Sequence, residues 1–125
     1  IYERRYTKAQ VERVINRVER QSNGFRKQFD YELDRGHLDG TEREDKLNDK
    51  VRDFERSLNE LRGEFDRSDS WWATRNNVRK VRDQADRVNF TMTRRNFSRG
   101  LERLWITMRR EINGLCRVYN LPFVR

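Results

Sequence analysis

The sequence predicts an all-α protein: an antiparallel up-down four-helix bundle or, as the alternative closure, two long helical hairpins completed in an oligomer. Three observations predict it. Apolar residues recur at steps of three and four over four long segments, which places them on one helix face each. A single Pro, Pro122, and six Gly leave those segments nearly free of helix breakers. Short runs of Gly, Asp, Ser and Asn separate the segments, and turns of a few residues make consecutive helices antiparallel neighbours. The 125 residues read as a single helical domain, with helices over about 7–34, 42–67, 70–93 and 98–120.

The first helix opens on Thr7 with Gln10, a capping-box pair. Val11, Val14, Ile15, Val18, Phe25, Phe29 and Leu33 follow at helical spacing. Ser22-Asn23-Gly24 interrupts the apolar face, and Gly there costs about 1 kcal/mol against Ala. The phase continues beyond it, so the reading is one long helix with Gly24 as the place for a kink. Gly36 to Gly40 forms the first turn. Thr41 with Glu44 is a second capping pair, and behind it Leu47, Val51, Phe54, Leu58, Leu61 and Phe65 alternate steps of four and three.

Ser68-Asp69-Ser70 is the second turn, with Asp69 or Ser70 placed to cap the third helix. Trp71, Thr74, Val78, Val81, Ala85, Val88 and Met92 keep the three-four rhythm. Thr93 to Ser98 is the third turn. On the fourth helix, Leu101, Leu104, Trp105, Met108, Ile112, Leu115 and Tyr119 fall within roughly 100° of one another at about 100° per residue. Arg99, Arg103, Arg110 and Arg117 fall within roughly 40° on the opposite side, with Ile106 among them. The tail Leu121-Pro122-Phe123-Val124-Arg125 cannot continue the helix through Pro122.

Charged residues make up 40% of the chain and hydrophobic ones 34%, so the order of the apolar residues, not their number, carries the fold. Charge is split along the chain. Trp71 to Arg125 holds 13 Lys+Arg against Asp83, Asp86, Glu102 and Glu111, a net of +9, while Ile1 to Ser70 is near neutral at −1. That asymmetry points to an anionic partner or to an acidic surface on another copy. The bases are mostly arginine, whose planar fork pairs with carboxylates, phosphates and sulfates.

No active site is legible. His37 lies near Asp34 and Asp39, but the segment lacks EF-hand ligand spacing, and turns use Gly and Asp for backbone reasons. There is no Cys/His nucleophile pair and no Gly-rich phosphate loop. The carboxylates alternate with arginines on helix faces, the pattern of an ion-paired surface. The expectation is a protein that is not an enzyme, with no metal, no cofactor and no small-molecule substrate. No apolar run approaches the ~20 residues that span a bilayer, so no transmembrane segment is expected. Ile at position 1 points to a preceding segment, either a signal peptide or residues trimmed otherwise. The lone cysteine, Cys116, excludes an internal disulfide; it reads as a buried thiol, or in an exported protein as an intermolecular thiol.

Several stretches are familiar. Asp39-Gly40-Thr41 with Glu44-Asp45, Val51-Arg52-Asp53-Phe54-Glu55, Leu61-Arg62 and Phe65-Asp66 resemble a family of small, basic, helical proteins encoded in acidobacterial genomes. Arg87-Val88 with the Met92 to Arg95 turn, Trp105 and the Leu115 to Asn120 segment are similar too, so the resemblance covers roughly residues 13 to 120. It implies export through a signal peptide, hence a secreted or periplasmic location, no assigned enzyme activity, and self-association into extracellular assemblies. Trp71-Trp72, Cys116 and the ending Leu121 to Val124 depart from the family's pattern.

The function expected is a structural protein that self-associates as a homo-oligomer; the alternative is a basic module that binds a polyanion, nucleic acid or acidic polysaccharide. The interaction residues expected are Arg99, Arg103, Ile106, Arg110 and Arg117 on the fourth helix, Trp71 and Trp72, and Phe123 of the apolar tail. Acidic clusters such as Asp30-Glu32-Asp34 or Glu42-Glu44-Asp45 of a neighbour are the expected counter-surface.

Overall fold

A computed structural model describes residues 2–34, 42–94 and 97–125, without the side chains of residues 2, 3, 33, 34 and 42–44. The helices begin where capping chemistry puts them. Thr7 Oγ1 accepts from the Gln10 N–H at 3.1 Å and Gln10 Oε1 accepts from the Thr7 N–H at 2.8 Å, a reciprocal cap that starts α1, Lys8–Asp34. α1 runs unbroken through Ser22-Asn23-Gly24. α2 spans Glu42–Arg67. The capping pair expected at Thr41 and Glu44, the first turn and His37 lie outside the described residues and side chains.

The third helix starts differently from the expectation. Ser70 holds the N-cap position, but its hydroxyl makes no cap bond, and the chain enters through a 3-10 turn, Trp71–Thr74, before α3, Arg75–Arg94. The tighter winding aligns residues three apart. It puts Trp71 and Thr74 together in the core, where Thr74 Oγ1 lies 2.9 Å from the Tyr119 hydroxyl. Ser98 Oγ accepts from the Leu101 N–H at 3.0 Å and starts α4, Arg99–Val118.

Cross-helix bonds fix the directions. Arg17 of α1 meets Glu111 of α4, while Glu32 meets Ser98, so one helix rises as the other falls. Arg26 meets Glu55 and Arg62 meets Glu19, the same relation for α1 and α2. Arg75 meets Tyr119 and Trp105 meets Asn89 along α3 and α4. The result is the antiparallel four-helix bundle, with no strand among the described residues. The closest helix pairs are α1 with α4 and α2 with α3.

The core holds the expected stripes: Val11, Ile15, Val18, Phe25 and Phe29 from α1, Leu47 to Phe65 from α2, Val78 to Met92 from α3, and Leu101 to Tyr119 from α4. Val14 and Leu104, expected in the core, are only partly buried against it. Arginines fill the α1–α2 seam. Arg62 reaches Glu12, Asn16 and Glu19 across it, and Arg26 reaches Asn48 and Glu55. Between these clamps the seam opens into a polar groove of about 710 Å³ beside Ser22 and Asn23. Each guanidinium is held charged above its ordinary range, first by the hydrogen bond to Glu19 or Glu55.

Candidate functional site: the outer face of α4 and the docked tail

The end of α4 decides where the tail goes. Asn120 adopts φ 55°, the left-handed conformation that ends helices. Its N–H bonds the Arg117 carbonyl at 3.2 Å, and the Leu121 N–H bonds the Cys116 carbonyl at 2.8 Å. This is a Schellman closure, with buried Leu121 above buried Cys116. Pro122 then prevents any return to helix. The chain turns back along the groove between α3 and α4, where Leu121 and Val124 are buried.

Side chains of both helices hold the tail by its backbone. Arg75 donates to the Tyr119 and Asn120 carbonyls, each at 2.9 Å. Arg82 donates to the Pro122 carbonyl at 2.9 Å and the Phe123 carbonyl at 3.3 Å. The Asn113 amide donates to the Val124 carbonyl at 3.1 Å and accepts from the Val124 N–H at 2.7 Å. Asn89 and Arg109 both donate to the Arg125 carbonyl. The apolar tail, expected to fray or dock on a neighbour, therefore buries Leu121 and Val124 in its own bundle.

Phe123 is the exception. It stays 44% exposed and faces α4, where the Arg117 guanidinium lies 5.5 Å from its ring. Ile106 is 47% exposed on the same face. Between them lies a shallow concavity of about 390 Å³, bordered by Arg110 and Arg117 and floored at Gly114. A Cβ at Gly114 would meet nothing within 4 Å, so no close approach within the chain requires the glycine. Arg99, Arg103, Arg110 and Arg117 line the outer side of α4, and all four are exposed. The patch combines guanidiniums able to pair with acidic oxygens and two apolar side chains able to lose water.

The other expected interaction residues are placed differently. Trp71 is buried at 3% exposure, its ring edge-on to Tyr119 at 5.0 Å and its Nε1 donating to the Tyr6 carbonyl at 3.0 Å. The core takes it because an indole buries both area and its donor there, so Trp71 has no face for a partner. Trp72 is half-buried at the bundle end, stacked on Tyr119 at 6.3 Å with the Arg75 guanidinium 5.4 Å from its ring. Cys116 is a free thiol with 0% exposure, and burial pushes its pKa up to about 11. Of the two readings of Cys116, the buried thiol is the one this fold shows.

Of the acidic clusters expected as a counter-surface, Asp45 is exposed and two members are engaged within the chain. Glu32 is buried and accepts from Gln28 at 2.7 Å and Ser98 at 2.6 Å, while Asp30 pairs with Arg26. Glu12, Glu19 and Glu55 are engaged by Arg62 and Arg26. Asp34, Glu42 and Glu44 fall outside the described side chains. Among the described residues no group of three His, Cys, Asp or Glu could hold a metal ion, and no helix is long and apolar enough to cross a membrane.

The tail clamps are the functional geometry that sequence reasoning missed. Two signals for them exist. Asn120-Leu121-Pro122 has the residue order of a Schellman closure. Asn89 stands four residues after Ala85 and three before Met92, a polar residue in core phase. No protein-family model matches the chain, and neither a curated protein nor a solved structure matches it.

Proposed function

We propose that the protein is a non-enzymatic structural protein whose copies associate through the outer face of α4, forming a homo-oligomeric extracellular assembly. The observation that carries the reading is the pairing of Ile106 and Phe123, both near half exposed, on one concave patch between Arg110 and Arg117. Apolar anchors ringed by arginine fit a protein surface, since a base-stacking platform needs aromatics interleaved with the cations. The extracellular setting rests on the family resemblance alone.

The test is light-scattering mass at micromolar concentration. Wild type is expected as an oligomer, and Ile106→Asp/Phe123→Asp and Arg103→Glu/Arg110→Glu are each expected to reduce the mass toward 15.4 kDa while circular dichroism stays helical. A monomeric wild type would defeat the reading. The second reading, a polyanion-binding module, is supported by the exposure of Arg99, Arg103, Arg110 and Arg117 together along α4. It predicts a monomer that binds nucleic acid or acidic polysaccharide with affinity falling steeply in salt.

A further inference from the structure

The tail is held in a way that does not depend on its belonging to the same chain. The Leu121 N–H closes the helix end, but beyond it the described bonds to the tail backbone all come from side chains: Arg82, Asn89, Arg109 and Asn113, with Arg75 at the hinge. Asn113 bonds one residue at both its N–H and its carbonyl, so it fixes the register of an extended segment. Leu121 and Val124, three apart, fill buried positions while the intervening Pro122 and Phe123 stay exposed. Pro122 keeps the segment extended before it binds. Together these are the features of a site for an extended peptide with the pattern Leu-Pro-x-Val.

Without an occupant the site is unfavourable. Asn89 is 6% exposed, and its amide donor would lose its bond to the Arg125 carbonyl. The cores around Leu121 and Val124 would open to water. The resident segment joins α4 through one residue, Asn120, at φ 55°. Straightening that residue releases the tail from its own groove, and the same segment of another copy can remake the side-chain bonds and refill the two apolar positions. Exchange of identical elements in this way is a low-cost route to association.

We infer that the α3–α4 groove is a peptide site occupied in trans, within the assembled protein, by residues 121–125 of a second copy. This deepens the self-association reading and rests on it. The tail remains in its own groove at low concentration, because a tether of one residue gives it a high effective concentration there. Exchange is favoured when copies are already held close, as across the α4 face, where Phe123 of the tail sits beside Ile106.

Two variants of the 125-residue chain test it. One, Leu121→Asp/Val124→Asp, keeps the groove and spoils the tail. The other, Asn89→Ala/Asn113→Ala, keeps the tail and spoils the groove. Mixing the two at high micromolar concentration is expected to give a one-to-one complex heavier than either variant alone; masses unchanged on mixing, with both variants helical by circular dichroism, would overturn the inference. A labelled peptide of sequence Asn-Leu-Pro-Phe-Val-Arg guards against a groove variant that does not fold. It is expected to saturate on the tail-spoiled variant, to bind about tenfold more weakly once Asn113→Ala is added, and to leave wild type unlabelled at micromolar concentration. No saturable binding to the tail-spoiled variant would also overturn it. The α4 reading fails separately: if mixing yields the complex while Ile106→Asp and Arg103→Glu/Arg110→Glu leave wild-type mass unchanged, the groove stands and the α4 face does not.

Discussion

Cys116 and Tyr119 are neighbours in the Schellman turn, and both are buried in their neutral forms. Burial pushes the thiol from 9.0 up to about 11 and the Tyr119 phenol from 10.0 up to about 12. A raised folded value means stability that is fully present below the unfolded value and lost as pH rises through the folded one. Cys116 therefore costs stability between about pH 9 and 11, and Tyr119 between about pH 10 and 12. At about 1.36 kcal/mol per unit, each contributes on the order of 2–3 kcal/mol. Denaturant midpoints measured from pH 8 to 12 are expected to fall across that range, with Cys116→Ala removing the earlier part of the fall; a flat profile would contradict the burial of both groups. At this scale the cysteine was legible, because a lone Cys is most often a small buried apolar residue. Trp71 was not. Adjacent Trp residues lie about 100° apart on a helix, so one of them turns away from the core, and the 3-10 winding that sets the Trp71 ring beside Tyr119 is not announced by the sequence.

Among the elements, α2 was the most legible, since Leu47, Val51, Phe54, Leu58, Leu61 and Phe65 form one uninterrupted seam and all are buried. α4 was read one residue too generously: Trp105 and Met108 take the centre of its face and leave Leu104 at the edge, half covered. Leu58→Ala is accordingly expected to cost about 2–5 kcal/mol, and Leu104→Ala clearly less, because partial exposure leaves a smaller cavity and less area to lose. Thermal unfolding of the two variants checks the order, and an equal loss would contradict the edge position of Leu104. The tail was hidden for a physical reason. Its binding is carried by side chain to backbone bonds from Arg75, Arg82, Asn89 and Asn113, and a backbone acceptor leaves no trace in a sequence pattern. Only the order Asn-Leu-Pro marks the turn that makes docking reachable.

At the scale of the molecule, the sequence divides charge by position, whereas the fold divides it by availability. Glu12, Glu19 and Glu55 sit in the α1–α2 clamps and Glu32 in the core, while Arg99, Arg103, Arg110 and Arg117 are exposed along α4. Copies carrying a net charge of +8 repel at long range, and salt relieves that repulsion. Salt also weakens arginine–carboxylate pairs across an interface, where the Debye length falls from about 10 Å at 0.1 M to about 3 Å at 1 M. The two effects oppose each other, and the apolar share of the interface decides the outcome. In the proposed association, Ile106 and Phe123 would supply a share that salt does not screen. The mass of wild type is therefore expected to decline gradually between low salt and about 1 M while staying above the monomer, and to reach the monomer at about 1 M once Ile106→Asp removes an anchor. Light scattering across a salt series distinguishes this from an assembly held by ion pairs alone, in which wild type itself would fall to the monomer at high salt.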